Sequence, residues 1–214
     1  MLRGLLGRPL ERKNVAKLVL ASSSVYRRSL LERLALPFDV ASPTIDETAL
    51  PEETPEQLVA RLAKAKARVV ADARPGAIVI GSDQVAISQA DILGKPGDRN
   101  RAIAQLKRLS GRKVRFLTSL CVLSPDLPPL VEIETSTVRF RHLTTQEINT
   151  YVDRERPFDC AGSFKSEGLG IALFESIDGD DPNALVGLPL IRLCRMLRIV
   201  GLDPLSLREP RPTP

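Results

Sequence analysis

AIVIGSDQVAI, residues 77–87, decides how the rest of the chain is arranged. Pro75 and Gly76 precede it, its first half is apolar and β-branched, and Ser82, Asp83 and Gln84 interrupt it where the apolar run ends. It reads as a buried strand with a polar exit, the place where an α/β domain carries its functional carboxylate. Working outward, KLVLAS (17–22) is a second buried strand, followed by a helix through SVYRRSLLERLA (24–35) and, after Pro37, a short strand FDVAS. Thr54, Pro55 and Gln57 open a helix with a capping box and Pro at its first position, predicted to run to about Ala73. Asp98 to Leu109 is a further helix ended by Gly111. KVRFLTSLCVLS and LVEIETSTVRFRHL are β-rich and separated by PDLPP, which predicts an antiparallel pair. Thr144 with Glu147 caps another helix, and the last spans Pro189–Ile199 before Gly201. The expected architecture is α/β, a mixed central sheet with flanking helices and an active-site cleft between two lobes.

Composition bounds the function. The 214 residues fit one domain, and 43% hydrophobic with 27% charged residues are ordinary for a soluble protein. No apolar run approaches the roughly 20 residues of a membrane helix, so no membrane partner is expected. Residues 1–15 read as a basic extension and 204–214 as a Pro-rich tail, leaving 16–203 as the folded domain. Cys121, Cys160 and Cys194 are scattered and odd in number, which suggests reduced thiols in the cytoplasm rather than disulfides. His142 is the only histidine, so charge is left to carboxylates, Lys and Arg. A net charge of +5 favours an anionic partner, but a basic solvated surface explains it as well; with 4% aromatics, no nucleic-acid partner is expected.

Several charges stand where apolar residues belong. On the helix 54–73, Leu58, Val59, Leu62, Val69, Val70 and Ala73 form a stripe that includes Lys66, while Arg61, Lys64 and Arg68 read as solvated face. A Lys on that stripe either snorkels to the surface or enters a cleft. Arg27 heads the stripe of Leu30, Leu31 and Leu34, just after Ser22, Ser23 and Ser24. Hydroxyls, free N–H groups, a helix N-terminus and an Arg fork could cradle phosphate; N-capping by Ser24 is the plain alternative. Asp83, and Glu47 in the turn DET, are two carboxylates able to hold a hard cation or deprotonate water, with Asp46 and Asp91 as further acidic candidates. Lys95 in LGKPGD adds a cation in another turn. Together these describe a site for a metal-bound polyphosphate.

LASSSVYRRSLL, IDET, RLAKAKA, IGSDQV, LGKP, HLTTQEINTYV, CAGSFKSEGLGI and NALVGLPL occur in the order seen in Maf-like nucleotide pyrophosphatases, which the chain resembles over residues 17–200. The resemblance implies a Maf/ITPase-like fold and hydrolysis between the α- and β-phosphates with a divalent metal, Mg²⁺ or Mn²⁺; a homodimer is compatible with it. It makes Asp83 the general base with Glu47 beside it at the metal. Arg27, Lys66 and Lys95, helped by Ser22 and Ser24, become phosphate-binding. Tyr26, Gln84 and Glu167 become specificity positions. CAGSFKSEG resembles the branch that hydrolyses 7-methyl-GTP; in the dTTP/UTP branch Arg and Gln typically replace Tyr26 and Glu167. The chemistry agrees, since an aromatic ring attracts a cationic N7-methylated base and an acceptor-only Glu matches the N1 and N2 donors of guanine. Gly162 and Gly168 are expected to let the Glu167 loop approach closely. Lys165 stays open between substrate, Glu167 and water. Val25 stands where the family commonly has Pro, and Tyr26 where a larger Trp can occur. The alternatives are a pyrophosphatase of other or broader base preference (dTTP, UTP or CTP) and a nucleotide- or nucleic-acid-binding regulator of cell division.

Overall fold

The computed structural model describes residues 17–89 and 91–206; the reading for residues 1–15, and that for the tail 204–214 beyond Ser206, lie outside them. In chain order the elements are β1 (Leu18–Ala21), α1 (Val25–Glu32), β2 (Phe38–Ala41), α2 (Pro55–Ala73), β3 (Ile78–Ser88), β4 (Asp91–Leu93), α3 (Arg99–Leu109), β5 (Lys113–Ser124), β6 (Leu127–Phe140), α4 (Thr145–Glu155), β7 (Phe174–Asp178) and α5 (Leu190–Ile199). Six strands run in the order β2-β1-β3-β5-β6-β7, with β4 paired to β3. β1 is parallel to β2 and β3, and the remaining pairs are antiparallel, so the sheet is mixed as expected.

Alternation along the strands divides the core. Leu20 and Ile80 face α1 and α5, packing on Leu31, Leu193 and Leu197. Val19 and Val79 face the other way, onto Ala63, Ala67 and Val70 of α2. Beyond the end of β1, Phe116, Val138 and Phe140 are covered by Leu106 and Leu109 of α3 and Ile148 and Val152 of α4. Each fully buried Leu, Val or Phe contributes about 1.5–3 kcal/mol. Among the described residues no helix is long and apolar enough to cross a membrane.

Three local expectations change. α1 ends at Glu32 rather than Ala35, because Ala35 takes a left-handed φ of +52° ahead of Leu36-Pro37. β6 takes in Leu127, Pro128 and Pro129 instead of leaving PDLPP as a connector. It can, because β7 pairs only with Thr137–Phe140 and the prolines stand on a stretch of edge that needs no N–H donor. On α2, Val69 is 44% exposed and Ala73 is exposed, since the buried face runs through Val59, Ala63, Ala67 and Val70 and leaves them on its flank; Leu58, Leu62 and Lys66 are buried.

Candidate active site

β1 pairs with β3 only from Leu18↔Ile78 to Ala21↔Gly81. Beyond Gly81, β3 continues without that neighbour while the chain turns from β1 into α1. The crevice so opened lies at the carboxyl ends of the parallel strands, where open α/β sheets bind ligands. It holds a cavity of about 470 Å³. Ser22, Ser24, Tyr26, Arg27, Glu47, Lys66, Asp83, Gln84, Lys95 and Glu167 all line it. Asp46 and Asp91 do not: Asp46 accepts from the Thr48 N–H, and Asp91 pairs with Arg108.

Ser22, Ser24 and Arg27 bring groups to the cleft that could hold an anion. Ser22 Oγ accepts from the Ser24 N–H at 3.1 Å, and Ser24 Oγ caps α1 by accepting from the Arg27 N–H at 3.3 Å. Capping and cradling are therefore compatible, because each hydroxyl keeps its own proton to donate. Arg27 Nε donates to the Gly187 carbonyl at 2.9 Å, which also accepts from Ser82 Oγ at 2.9 Å. Gly187 has φ +102°, and a Cβ on it would lie 3.2 Å from Arg27 Nε. Gly187 is a site residue that sequence reasoning passed over; its position inside the quoted NALVGLPL was the available signal. Burial works against the Arg27 charge, and Asp83 and Glu47 oppose that effect.

Lys66 does enter the cleft. Its Nζ donates to Asp83 Oδ1 at 2.6 Å and meets Glu47 Oε1 at 2.7 Å. The approach depends on Gly81, where a Cβ would fall 2.2 Å from the Ala63 carbonyl oxygen of α2. Lys66 and Asp83 are 8% and 6% exposed, whereas the Glu47 side chain is 60% exposed. The two carboxylates are pushed apart as a result. Burial raises the Asp83 pKa despite the pull of Lys66 and Arg27, while the hydrogen bond from Lys66 lowers that of Glu47. Two carboxyls separated in this way around one ammonium could divide proton-accepting and charge-holding roles between them.

Among the described residues no group of three or more His, Cys, Asp or Glu could hold a metal ion. Glu47 and Asp83 nevertheless fit a Mg²⁺-type ion, which takes one or two carboxylates and fills its shell with water and substrate phosphate oxygens.

Other walls of the cleft offer acceptors. Gln84 Nε2 donates to Thr118 Oγ1 at 2.8 Å and to the Ala184 carbonyl at 2.9 Å. A carbonyl can only accept, so this fixes the amide orientation and leaves Gln84 Oε1, an acceptor, for a ligand. Glu167 is exposed on the cleft rim, with Asp159 and Cys160 also lining the cleft. Burial foremost, then Cys160, Asp159 and Glu167, pushes the Tyr26 phenol up to about 12. Phe164 forms part of the wall and stacks edge-on against Phe116 and Phe174, with centroids at 5.3 and 4.8 Å. Gly162, at φ +78°, turns the chain tightly beneath that ring. Gly168 does not take a positive φ; a Cβ there would crowd the Glu155 carboxylate at 3.0 Å. Lys165 faces α4, donating from Nζ to the Glu155 carbonyl and from its N–H to the Tyr151 hydroxyl, both at 2.9 Å.

Residues 17–200 match the family model described as Maf-like protein. A protein of Nitrosococcus oceani named 7-methyl-GTP pyrophosphatase is 57% identical over 185 residues, covering 86% of this chain and 93% of its own. One of the same name from Chromohalobacter salexigens is 55% identical over 193 residues, 90% and 100% of the two chains. A solved HAM1 protein from Coxiella burnetii gives a TM-score of 0.49 at 16% identity, over 86% of this chain and 99% of that one. With the family model spanning nearly every described residue and relatives above half identity along most of their length, the chain belongs to the Maf-like protein family.

Proposed function

We propose that this protein, through the unit spanning residues 16–203, hydrolyses 7-methyl-GTP to 7-methyl-GMP and pyrophosphate in the cytoplasm. The observation that carries the proposal is a single cleft lined by the cations Arg27, Lys66 and Lys95 together with Tyr26, Gln84 and Glu167. The names of the relatives support the same substrate.

Water attacks the α-phosphorus, the bond from that phosphorus to the bridging oxygen breaks, and pyrophosphate leaves with the electron pair. Asp83 takes the proton of the attacking water, a role suited to a carboxylate whose pKa burial has raised. Lys66 orients Asp83 and, with Arg27, Lys95 and the hydroxyls of Ser22 and Ser24, neutralises charge on the phosphates. A divalent cation held by Glu47 and Asp83 supplies further positive charge at the reacting phosphates when bound. Guanine presents its N1 and N2 donors to the acceptors Gln84 Oε1 and Glu167, and the Tyr26 ring attracts the cationic imidazolium.

The test is pyrophosphate release with Mg²⁺ or Mn²⁺ from 7-methyl-GTP, GTP, dTTP, UTP and CTP. Preference for 7-methyl-GTP is expected, and Glu167→Gln should lose more of that preference than of its turnover of the other nucleotides. Dominant turnover of dTTP, UTP or CTP would refute the base assignment while keeping the pyrophosphatase. Absence of turnover on all five would refute both.

A further inference from the structure

Glu47 reaches the reaction centre from residues 42–54, a connection without regular structure between β2 and α2. A carboxylate on such a loop needs something to hold it. Lys66 supplies one contact at 2.7 Å, but to a side chain that is largely exposed. The stronger hold is beside it. Arg61, one turn and a half before Lys66 on α2, grips Glu53 with both arms of its guanidinium, Nε to Oε1 at 2.6 Å and Nη2 to Oε2 at 2.8 Å. The same Nη2 donates to the Thr48 carbonyl at 3.0 Å, one residue past Glu47. Glu53 Oε2 accepts from the Leu50 N–H at 3.0 Å, and Asp46 Oδ1 accepts from the Thr48 N–H at 2.9 Å.

The residues on both sides of Glu47 are thus folded into one polar knot, and Arg61 ties that knot to α2. This is more than a surface ion pair, because the Glu53 side chain is only 7% exposed and that of Arg61 31%. A bidentate pair in such a setting has a fixed geometry. The Arg61 hydrogen bonds, foremost among its contacts, hold the Glu53 carboxyl down at about 2, so the pair stays ionised at neutral pH.

We infer that Arg61, through Glu53 and the Thr48 carbonyl, is the positioning residue for Glu47. α2 therefore sets the reaction centre twice, directly through Lys66 and indirectly through Arg61. The inference rests on the proposed function only in giving Glu47 a task; the tie itself is a property of the nucleotide-free chain.

The experiment combines Arg61→Met and Glu53→Gln with a double-mutant cycle on Glu47→Gln, read by kcat/KM for pyrophosphate release. It also follows amide hydrogen exchange of residues 48–53 in the nucleotide-free protein. A displacement of about 1 Å at a reacting group costs on the order of 100-fold. Arg61→Met is therefore expected to lower kcat/KM by about 10- to 100-fold in the wild-type background, and by about twofold or less when Glu47 is already Gln. Exchange at 48–53 should speed by about tenfold or more, with β3 amides unchanged. Arg61→Lys keeps the charge but not the fork, and should resemble Arg61→Met more than the wild type. Equal losses in both Glu47 backgrounds, or unchanged exchange at 48–53 in both Arg61→Met and Glu53→Gln, would overturn the inference. Wild-type kcat/KM in Glu47→Gln alone would instead remove Glu47 from the proposed chemistry, and the exchange measurement would then decide on the tie by itself.

Discussion

Asp83→Asn and Lys66→Met break the same 2.6 Å contact with opposite expected consequences. Asp83→Asn keeps the shape and removes a charge that burial was already penalising. Lys66 remains paired with Glu47 at 2.7 Å, so the unfolding free energy should change by about 2 kcal/mol or less. Activity should fall by about 10²–10⁴, because a positioned base is worth that much, or about 3–5 kcal/mol of barrier. Lys66→Met leaves an ionised carboxylate at 6% exposure, with Arg27 as its remaining cation. Its cost cannot exceed the work of protonating Asp83 instead, which from an ordinary pKa near 3.9 is about 5 kcal/mol at pH 7.5 and about 1.5 kcal/mol at pH 5. The sign follows from linkage. A carboxyl whose folded pKa is raised binds more protons folded than unfolded, so the variant regains stability as pH falls through that raised value. Urea unfolding of both variants at pH 7.5 and pH 5, with kcat for pyrophosphate release, tests this. Asp83→Asn within tenfold of wild-type activity would refute the assignment of the base. A Lys66→Met variant as stable as Asp83→Asn at pH 7.5 would refute the electrostatic account of the pair.

Gly81→Ala drives a Cβ into the Ala63 carbonyl at 2.2 Å and should cost at least about 2 kcal/mol in urea unfolding, with loss of activity as α2 and Lys66 back away from Asp83. The Thr144 N–H, then the Arg141 guanidinium, hold Glu147 down at about 2. Its contribution is thus present above the ordinary Glu range and lost as pH falls towards 2; the fall in Tm over that window should be shallower in Glu147→Gln, and an unchanged slope would refute the account. Burial pushes the Cys121 thiol up to about 11, so Cys121 at pH 8 should alkylate far more slowly in native than in unfolded protein; rapid labelling of Cys121 in the native state would contradict the burial of its thiol.

Most of the candidate site was legible because its residues break local patterns. Asp83 interrupts an apolar strand, and Lys66 and Arg27 stand on apolar stripes, so each carries its own anomaly within a few residues of sequence. The same periodic argument failed at Val69 and Ala73, because the face that packs on the sheet is centred on the small Ala63 and Ala67, which a stripe drawn through the larger apolar residues passes over. It also misplaced Arg61, whose partner Glu53 lies before the helix begins, in a loop with no period to violate. Gly187 was silent for a stronger reason. It meets Arg27 across 160 positions of chain, and an isolated Gly among Leu, Val and Pro signals a turn without saying what the turn touches.

The acceptor character of Gln84 shows the same limit in chemical form. Gln carries one acceptor and two donors, so from sequence Gln84 could recognise either kind of base edge. Its polarity is decided elsewhere, by Thr118 on β5 and by the Ala184 carbonyl, which take the donors and leave the oxygen. That carbonyl lies three residues before Gly187, whose own carbonyl holds Arg27. One short stretch, residues 184–187, therefore orients two side chains that line the cleft, Gln84 and Arg27. A substitution that shifts it should disturb base choice and phosphate affinity together, whereas Glu167→Gln should disturb base choice alone; kcat/KM for 7-methyl-GTP and GTP in Gly187→Ala and Glu167→Gln separates the two. Loss of phosphate affinity in Gly187→Ala with base preference intact would show that the two side chains are set independently.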